Sequence, residues 1–260
     1  MTSIGFIGAG KMAEALIKAI QKSKLSKNII ASDKNDSRLT KLSKELNIKT
    51  TKNNRDLLNS DIIFLAVKPQ NIGEVLDEIA DTNKLVVSIA AGITIKQLES
   101  KLKNARIVRV MPNTPCLVNE MAAGFAVGKK VKDKDLLIIE KILNSAGKAY
   151  LLNESNLDAV TALSGSGPAF VSYLIQAMIE AGHKQGLSKE ISSELTLQTF
   201  KGTAALLQQT GISPKELIDM VSSPNGTTVA GRKVLESSII KEKIDKTILE
   251  AKKRSQELGR

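Results

Sequence analysis

The chain is poor in the residues that most often carry chemistry. Its 260 residues include one cysteine, one histidine, no tryptophan, two tyrosines and five phenylalanines. Cys116 alone cannot form an intrachain disulfide or a cysteine zinc site, and His183 alone cannot supply a multi-histidine metal cluster. No apolar run approaches the roughly 18 residues that cross a bilayer. Thr2-Ser3-Ile4-Gly5-Phe6 lacks the charged start and apolar stretch of a signal peptide. The expectation is a soluble, cytoplasmic protein without a metal site or a membrane contact. Any catalysis must borrow its chemistry from a cofactor or from the substrate.

What the chain does have is length, apolar content and positive charge. Its length suits one large domain or two ordinary ones, and 42% hydrophobic residues are enough to bury a core. The formal net charge of +11 invites a nucleic-acid reading, since basic proteins gain affinity by releasing counterions from phosphates. Its distribution argues against one. Residues 1–152 hold 25 Lys and Arg against 15 Asp and Glu, a balance of +10, whereas residues 153–260 hold 13 against 12, a balance of +1. The lysines of the first part are scattered, and few aromatics lie among them to stack on bases. Most are expected to be solvated, with no nucleic-acid partner.

Short, Ile- and Val-rich runs at Ser3–Gly8, Asn28–Ser32, Asp61–Val67, Leu85–Ile89 and Ile107–Met111 read as buried strands. Between them, Met12-Ala15-Leu16-Ala19 and Ile72-Val75-Leu76-Ile79 repeat at i, i+3, i+4, i+7, which predicts helices with one apolar stripe. Thr94-Ile95-Lys96-Gln97 predicts a capping box. The pattern is that of an α/β, doubly wound and mostly parallel sheet. After about Leu152 the β-branched runs stop and helical spacing takes over, so the expected domains are 1–152 and 153–260. Ala169–Ala181 is nearly all apolar and suits a helix buried in a helical domain or a dimer interface. Ser213-Pro214-Lys215-Glu216 predicts a helix start, and Ile239–Arg260 a closing surface helix.

Gly8-Ala9-Gly10-Lys11-Met12-Ala13 follows a strand and opens a helix. Gly8 permits a tight turn, Gly10 lets the backbone approach a pyrophosphate, and Ala13 allows close helix packing, the requirements of a dinucleotide fingerprint. At the end of the second predicted strand, Asp33 suits a ribose 2′-hydroxyl and thus NAD, while Ser32 and Lys34 suit a 2′-phosphate and thus NADP. Ala66-Val67-Lys68-Pro69-Gln70 and Ser88-Ile89-Ala90-Ala91-Gly92 end two further strands, where open α/β sheets bind ligands. Lys68 reads equally as a cofactor contact or a solvent-facing charge. Asn113, in a stiff loop between Pro112 and Pro115, suits a nicotinamide amide. Cys116 has no histidine in sequence reach and reads as an inert thiol.

Two later segments read as loops. Leu163-Ser164-Gly165-Ser166-Gly167-Pro168-Ala169 permits close approach of another backbone or of a packed helix. Ser222-Ser223-Pro224-Asn225-Gly226-Thr227-Thr228 reads either as a polar helix cap or as a small carboxylate site at a helix N-terminus. His183, near a helix end, reads as a surface or capping residue.

These motifs, together with Asp158-Ala159-Val160-Thr161-Ala162 ahead of the first of these loops, resemble those of the pyrroline-5-carboxylate reductase family nearly end to end. The resemblance implies an N-terminal Rossmann domain and an all-α C-terminal domain that dimerises, often assembling into a ring of dimers. It implies reduction of the cyclic imine of 1-pyrroline-5-carboxylate to L-proline with NADPH or NADH, and the residues after the second predicted strand lean toward NADP. Carried over by position, Ile7, Gly8, Ala9, Gly10, Lys11, Met12, Asp33, Lys34, Asn53, Ala66, Val67, Lys68, Pro69, Ala90, Ala91 and Asn113 would line the cofactor site. Ser223, Asn225, Gly226, Thr227 and Thr228 would hold the substrate carboxylate, with the amides of Gly226, Thr227 and Thr228 gripping it and the Thr228 hydroxyl on the ring nitrogen. Glu154 is a further implied substrate contact.

Two positions depart from the family. Asn225 stands where a second glycine is usual, and asparagine tolerates positive φ better than most residues. Phe170 stands where tyrosine is common, which removes a hydroxyl from any proton relay. The competing enzyme reading is a β-hydroxyacid dehydrogenase, whose catalytic lysine lies on the first long helix of the second domain; Pro168–His183 contains no lysine. A non-catalytic dinucleotide-binding protein is the other alternative.

Overall fold

The computed structural model describes residues 2–259. The first part of the chain runs β1 (Ile4–Ile7), α1 (Lys11–Lys22), β2 (Ile29–Ser32), α2 (Asp36–Leu46), β3 (Lys49–Thr51), β4 (Ile62–Leu65), α3 (Ile72–Glu78), β5 (Leu85–Ser88), α4 (Ile95–Lys101), β6 (Arg106–Met111), β7 (Met121–Val127), α5 (Asp133–Asn144) and β8 (Gly147–Leu151). The five predicted runs form β1, β2, β4, β5 and β6. Every residue of β1, β4 and β5 is buried, which explains why these runs are continuously apolar rather than alternating.

The eight strands form one sheet in the order β3-β2-β1-β4-β5-β6-β7-β8. The strands from β3 to β6 are mutually parallel; β7 runs antiparallel to β6, and β8 runs parallel to β7. Because β1 lies between β2 and β4, the winding reverses there and leaves a crevice beyond the carboxyl ends of β1 and β4. Apolar clusters fill both faces of the sheet. On one face, Leu16, Ile17 and Ile20 of α1 pack with Phe6 and Phe64, whose rings stack with centroids 4.7 Å apart. On the other, Val75, Leu76 and Ile79 pack with Leu98 and Ile63. Each fully buried aliphatic or aromatic side chain contributes about 1.5–3 kcal/mol. Thr94 and Gln97 form the predicted capping box on α4.

The later elements are α6 (Leu157–Val160), α7 (Gly167–Lys184), α8 (Lys189–Thr210), α9 (Pro214–Met220), α10 (Thr227–Glu236) and α11 (Ile240–Leu258). The segment expected to be a loop at Leu163–Ala169 is instead helical. A π-helical turn at Thr161–Gly165 separates α6 from α7. The hydroxyls of Thr161 and Ser164 donate back to the carbonyls of Leu157 and Val160, at 2.8 and 3.1 Å, and stay within the helix rather than breaking it. Such wide turns recur at functional sites.

The chain divides into two compact units. One runs to Pro168 and takes in the segment from Glu250; the other is Ala169–Leu249. Although the sheet ends at Leu151, Leu157 and Ala162 are fully buried in the first unit, and the Ser255 hydroxyl donates to Asp158 at 2.7 Å. The first unit therefore extends past residue 152 and recovers the end of α11.

The second unit is helical. Ser188 caps α8, Gly211 ends it with φ +72°, and Ser213 and Glu216 form the predicted capping box on α9. His183 Nδ1 lies 2.8 Å from the Leu187 carbonyl, at a helix end as predicted. Among the residues described, the buried ones in this unit are Ser192 and Thr196, both polar. Val171, Leu174 and Met178 lie exposed along one face of α7, beside Tyr173 at 75% exposure. Of the two places expected for this apolar helix, a helical domain or a dimer interface, its own unit does not bury it within one chain. Among the described residues no helix is long and apolar enough to cross a membrane.

Candidate functional site

At the end of β1 the chain turns through Gly8, whose φ of +101° suits glycine. A Cβ there would stand 2.6 Å from the Ala66 carbonyl oxygen, so the close approach of the β1 and β4 turns also requires glycine. Gly10 is the N-cap of α1 and provides no side-chain cap. A Cβ on Gly10 would meet nothing within 4 Å, so the opening over the helix start is free of protein atoms. The first amides of α1, at Lys11 and Met12, open onto this space with the positive end of the helix dipole. Ala13 is fully buried and lets α1 pack tightly.

A cavity of about 380 Å³ lies over this turn, lined by Ile7, Gly8, Gly10, Ser32, Asp33, Lys34, Asn54, Ala66, Val67, Lys68, Glu74 and Glu78 among others. The open helix start beside it is the kind of place that suits the pyrophosphate of a dinucleotide. The Ala9 peptide beside it is held at both ends. Asp33 Oδ2 accepts from the Ala9 N–H at 2.7 Å, and Arg38 Nε donates to the Ala9 carbonyl at 2.8 Å. Arg38 in turn contacts Glu14, a buried residue of α1 that also pairs with Lys18 and Lys41. The hydrogen bond from Lys18 is the largest influence on Glu14 and, with those from Arg38 and Lys41, lowers its carboxyl to about 2 despite burial. Asp33, read from sequence as a ribose ligand, thus has a second task in shaping the glycine turn; its Oδ1 accepts from the Asn35 N–H.

At the far end of the cavity the Ser32 hydroxyl donates to Asn54 Oδ1 at 2.6 Å, and Asn54 Nδ2 donates to Glu78 at 2.7 Å. Asn53, the sequence candidate, caps the following turn by accepting from the Arg55 N–H and donates to Asp56. Its neighbour Asn54 lines the cavity instead. Glu74 and Glu78 were not anticipated, although their spacing of four on a predicted helix places them on one face.

Ala66 and Val67 are half-buried beside the glycine turn, and Lys68 and Pro69 are exposed at the start of a short 3₁₀ turn. Ala90 is buried and Ala91 exposed at the end of β5. The Asn113 amide is occupied within the protein: Nδ2 donates to the Ser164 carbonyl at 3.0 Å, and Oδ1 accepts from the Ala122 N–H at 2.9 Å. It ties the end of β6 to the π turn. Glu154 is also occupied, its Oε1 accepting from the Ile95 N–H at 2.7 Å and from Arg109 at 2.9 Å. Cys116 is buried, and burial pushes its thiol up to about 11, in keeping with an inert role.

Within the second unit, Ser222–Thr228 turns into α10. Asn225 adopts φ +60°, the left-handed conformation foreseen for it. The Gly226 N–H donates to the Ser223 carbonyl at 3.0 Å, so it is engaged in the turn rather than free for a ligand. Gly226 is the N-cap of α10 and brings no side-chain cap, which leaves the amides of Thr227 and Thr228 at an open helix start. Both threonines are exposed.

Two family models match successive parts of the chain. A family described as "Pyrroline-5-carboxylate reductase dimerisation" matches residues 154–258, and one described as "NADP oxidoreductase coenzyme F420-dependent" matches residues 3–92. The chain is 41% identical to pyrroline-5-carboxylate reductase of Methanosarcina acetivorans, over 99% of this chain and 98% of that protein. It is 38% identical to pyrroline-5-carboxylate reductase 2 of Bacillus subtilis, over 99% and 95%. Among solved structures it is similar to a pyrroline-5-carboxylate reductase from Coxiella burnetii, with a TM-score of 0.95 at 35% identity over 100% of this chain and 99% of that one. The Plasmodium falciparum pyrroline carboxylate reductase with NADP bound gives 0.88 at 34% identity, over 100% and 98%. With the glycine turn, the sheet order and the Ser222–Thr228 segment all in place, this end-to-end similarity makes the chain a member of the pyrroline-5-carboxylate reductase family.

Proposed function

We propose that the protein reduces the carbon–nitrogen double bond of 1-pyrroline-5-carboxylate with NADPH or NADH to give L-proline, the last step of proline biosynthesis, and works in the cytoplasm as a homo-oligomer joined through residues 153–260. The observation that carries this reading is the uncapped start of α1 at a glycine cradle, in a chain that matches reductases over its whole length. When bound, a reduced nicotinamide supplies hydride to the imine carbon. The chain's residues then have to bind and orient rather than to provide strong acid or base. An imine protonated at nitrogen is already electrophilic, which suits a protein whose only histidine is a helix-end residue and whose only cysteine is buried.

In this reading the amides of Lys11 and Met12 receive the pyrophosphate, and Asp33, Asn54 and Lys34 face the adenosine ribose. Asn113 and Glu154 act as positioning residues, since the Asn113 amide and the Glu154 Oε1 are engaged within the protein. Thr227 and Thr228 present amides to the substrate carboxylate, and the Thr228 hydroxyl hydrogen-bonds the ring nitrogen. Holding donor and acceptor in reacting geometry lowers a barrier by up to about 7–11 kcal/mol. The exposed apolar faces of α7 and α8 support assembly with a second copy.

The test is oxidation of NADPH or NADH on adding cyclised glutamate semialdehyde, with L-proline identified as the product and hydroxyacids tried in the reverse direction. Imine-dependent oxidation with no hydroxyacid activity is expected. Failure to oxidise either cofactor with the imine would overturn the proposal.

A further inference from the structure

The adenosine end of the cavity is bridged by an ion pair that nothing in the glycine fingerprint requires. Lys34 leaves the end of β2, Glu74 stands in the first turn of α3, and their charged atoms lie 2.9 Å apart. Each group feels the other, since the hydrogen bond between them is the largest influence raising Lys34 and lowering Glu74. One turn further along α3, Glu78 faces the same space through Asn54. Asp33 is a third carboxylate in the lining, and Lys34 is the cation beside them.

A ribose 2′-hydroxyl entering here asks only for a hydrogen-bond partner. A 2′-phosphate brings close to two negative charges into a space already holding three carboxylates. Shared with Glu74, the Lys34 ammonium offers that phosphate less of its charge, and the Glu74 carboxylate beside it repels the phosphate. We propose that Glu74 is a specificity-determining residue of this enzyme, opposing the 2′-phosphate that Ser32 and Lys34 otherwise favour by holding Lys34 across the adenosine end of the cavity. The inference rests on the dinucleotide reading above and deepens it, because it makes the cofactor preference a property of α3 as well as of the residues after β2.

The experiment is a fluorescence titration of the full chain with NADPH and with NADH, which reads binding and not turnover, at low and at high salt. Glu74→Gln is expected to tighten NADPH about tenfold and to leave NADH within about twofold, because the pair is exposed and screened rather than buried. The gain for NADPH should shrink at high salt. Asp77→Asn, on the same helix but paired with Lys101, serves as the control and should move neither constant. Equal changes for both cofactors, no change for either, or the same gain in the Asp77 variant would overturn the inference while leaving the dinucleotide reading intact. A wild-type chain that binds neither cofactor would overturn both.

Discussion

The two compact units differ in where their apolar side chains go. In the first, strands and helices enclose Phe6, Leu16, Ile63, Phe64 and Leu98 completely, and both faces of the sheet are covered. In the second, Leu195 is 56% exposed, Leu174, Met178, Met220 and Leu235 are also exposed, and among the described residues Ser192 and Thr196 are the buried ones. Helical spacing and apolar content look equally good in the two sequences. The contrast teaches that an amphipathic pattern records a need for burial without recording which chain provides the cover. In obligate assemblies, folding and association are one equilibrium.

The most drastic way to break the contrast is Leu174→Asp on α7. A charge on the exposed apolar face is expected to reduce the particle to a single chain by light scattering and to remove nearly all turnover, while dinucleotide binding to the first unit persists. An unchanged particle mass would show that this face is not covered by a second copy. Next in size is Thr228→Ala, which is expected to lower kcat about 100-fold, equivalent to roughly 2.7 kcal/mol, with little change in cofactor binding. Equal loss in both, or in neither, would remove Thr228 from the proposed role.

A smaller effect sharpens the comparison from the side of the first unit. The carboxyl of Glu14 is held at about 2 in the folded protein against an ordinary 4.5. A depressed carboxylate stabilises fully above the unfolded value and progressively less as pH falls through 4.5 toward 2. Glu14→Gln should therefore cost on the order of 1–2 kcal/mol at neutral pH, after allowance for solvent screening of the partly exposed cations, and should flatten the acid limb of a denaturation profile. A variant with an unaltered acid limb would show that the cluster does not couple to folding. The least expected change is at Asn225, whose φ of +60° is one that glycine adopts freely. Asn225→Gly should leave stability within about 0.5 kcal/mol, whereas Asn225→Val should cost roughly 1–2 kcal/mol by thermal unfolding.

Local chemistry was legible where it depends on neighbours in sequence. The five buried strands, the capping boxes at Thr94 and Ser213 and the positive φ of Asn225 follow from short-range patterns. β3 is a three-residue, wholly polar edge, and β7 is mostly Met, Ala and Gly with Val127 as its one β-branched residue, so neither stood out. Side-chain engagement across the fold was less legible. Asp33 reaches Ala9, Asn113 reaches Ser164 and Glu154 reaches Ile95 across tens of residues, and residue type alone cannot say that these groups are already occupied. The exchange of Asn53 for Asn54 has a similar origin, because adjacent side chains at a turn point in different directions.

The hydrogen bond from Ser255 to Asp158 sets an order of events during synthesis. Its partners are 97 residues apart, and the whole second unit lies between them in the chain. At roughly 5–20 residues per second, Asp158 waits about 5–20 seconds for its partner to be made. Over that interval the sheet can form, but the turn at Gly92 still lacks the backbone of Leu258 that packs beside it. The nascent dinucleotide-type unit is thus finished by the last segment described, so a ribosome that stalls in α8 would hold a nearly complete sheet with the Gly92 turn still uncovered.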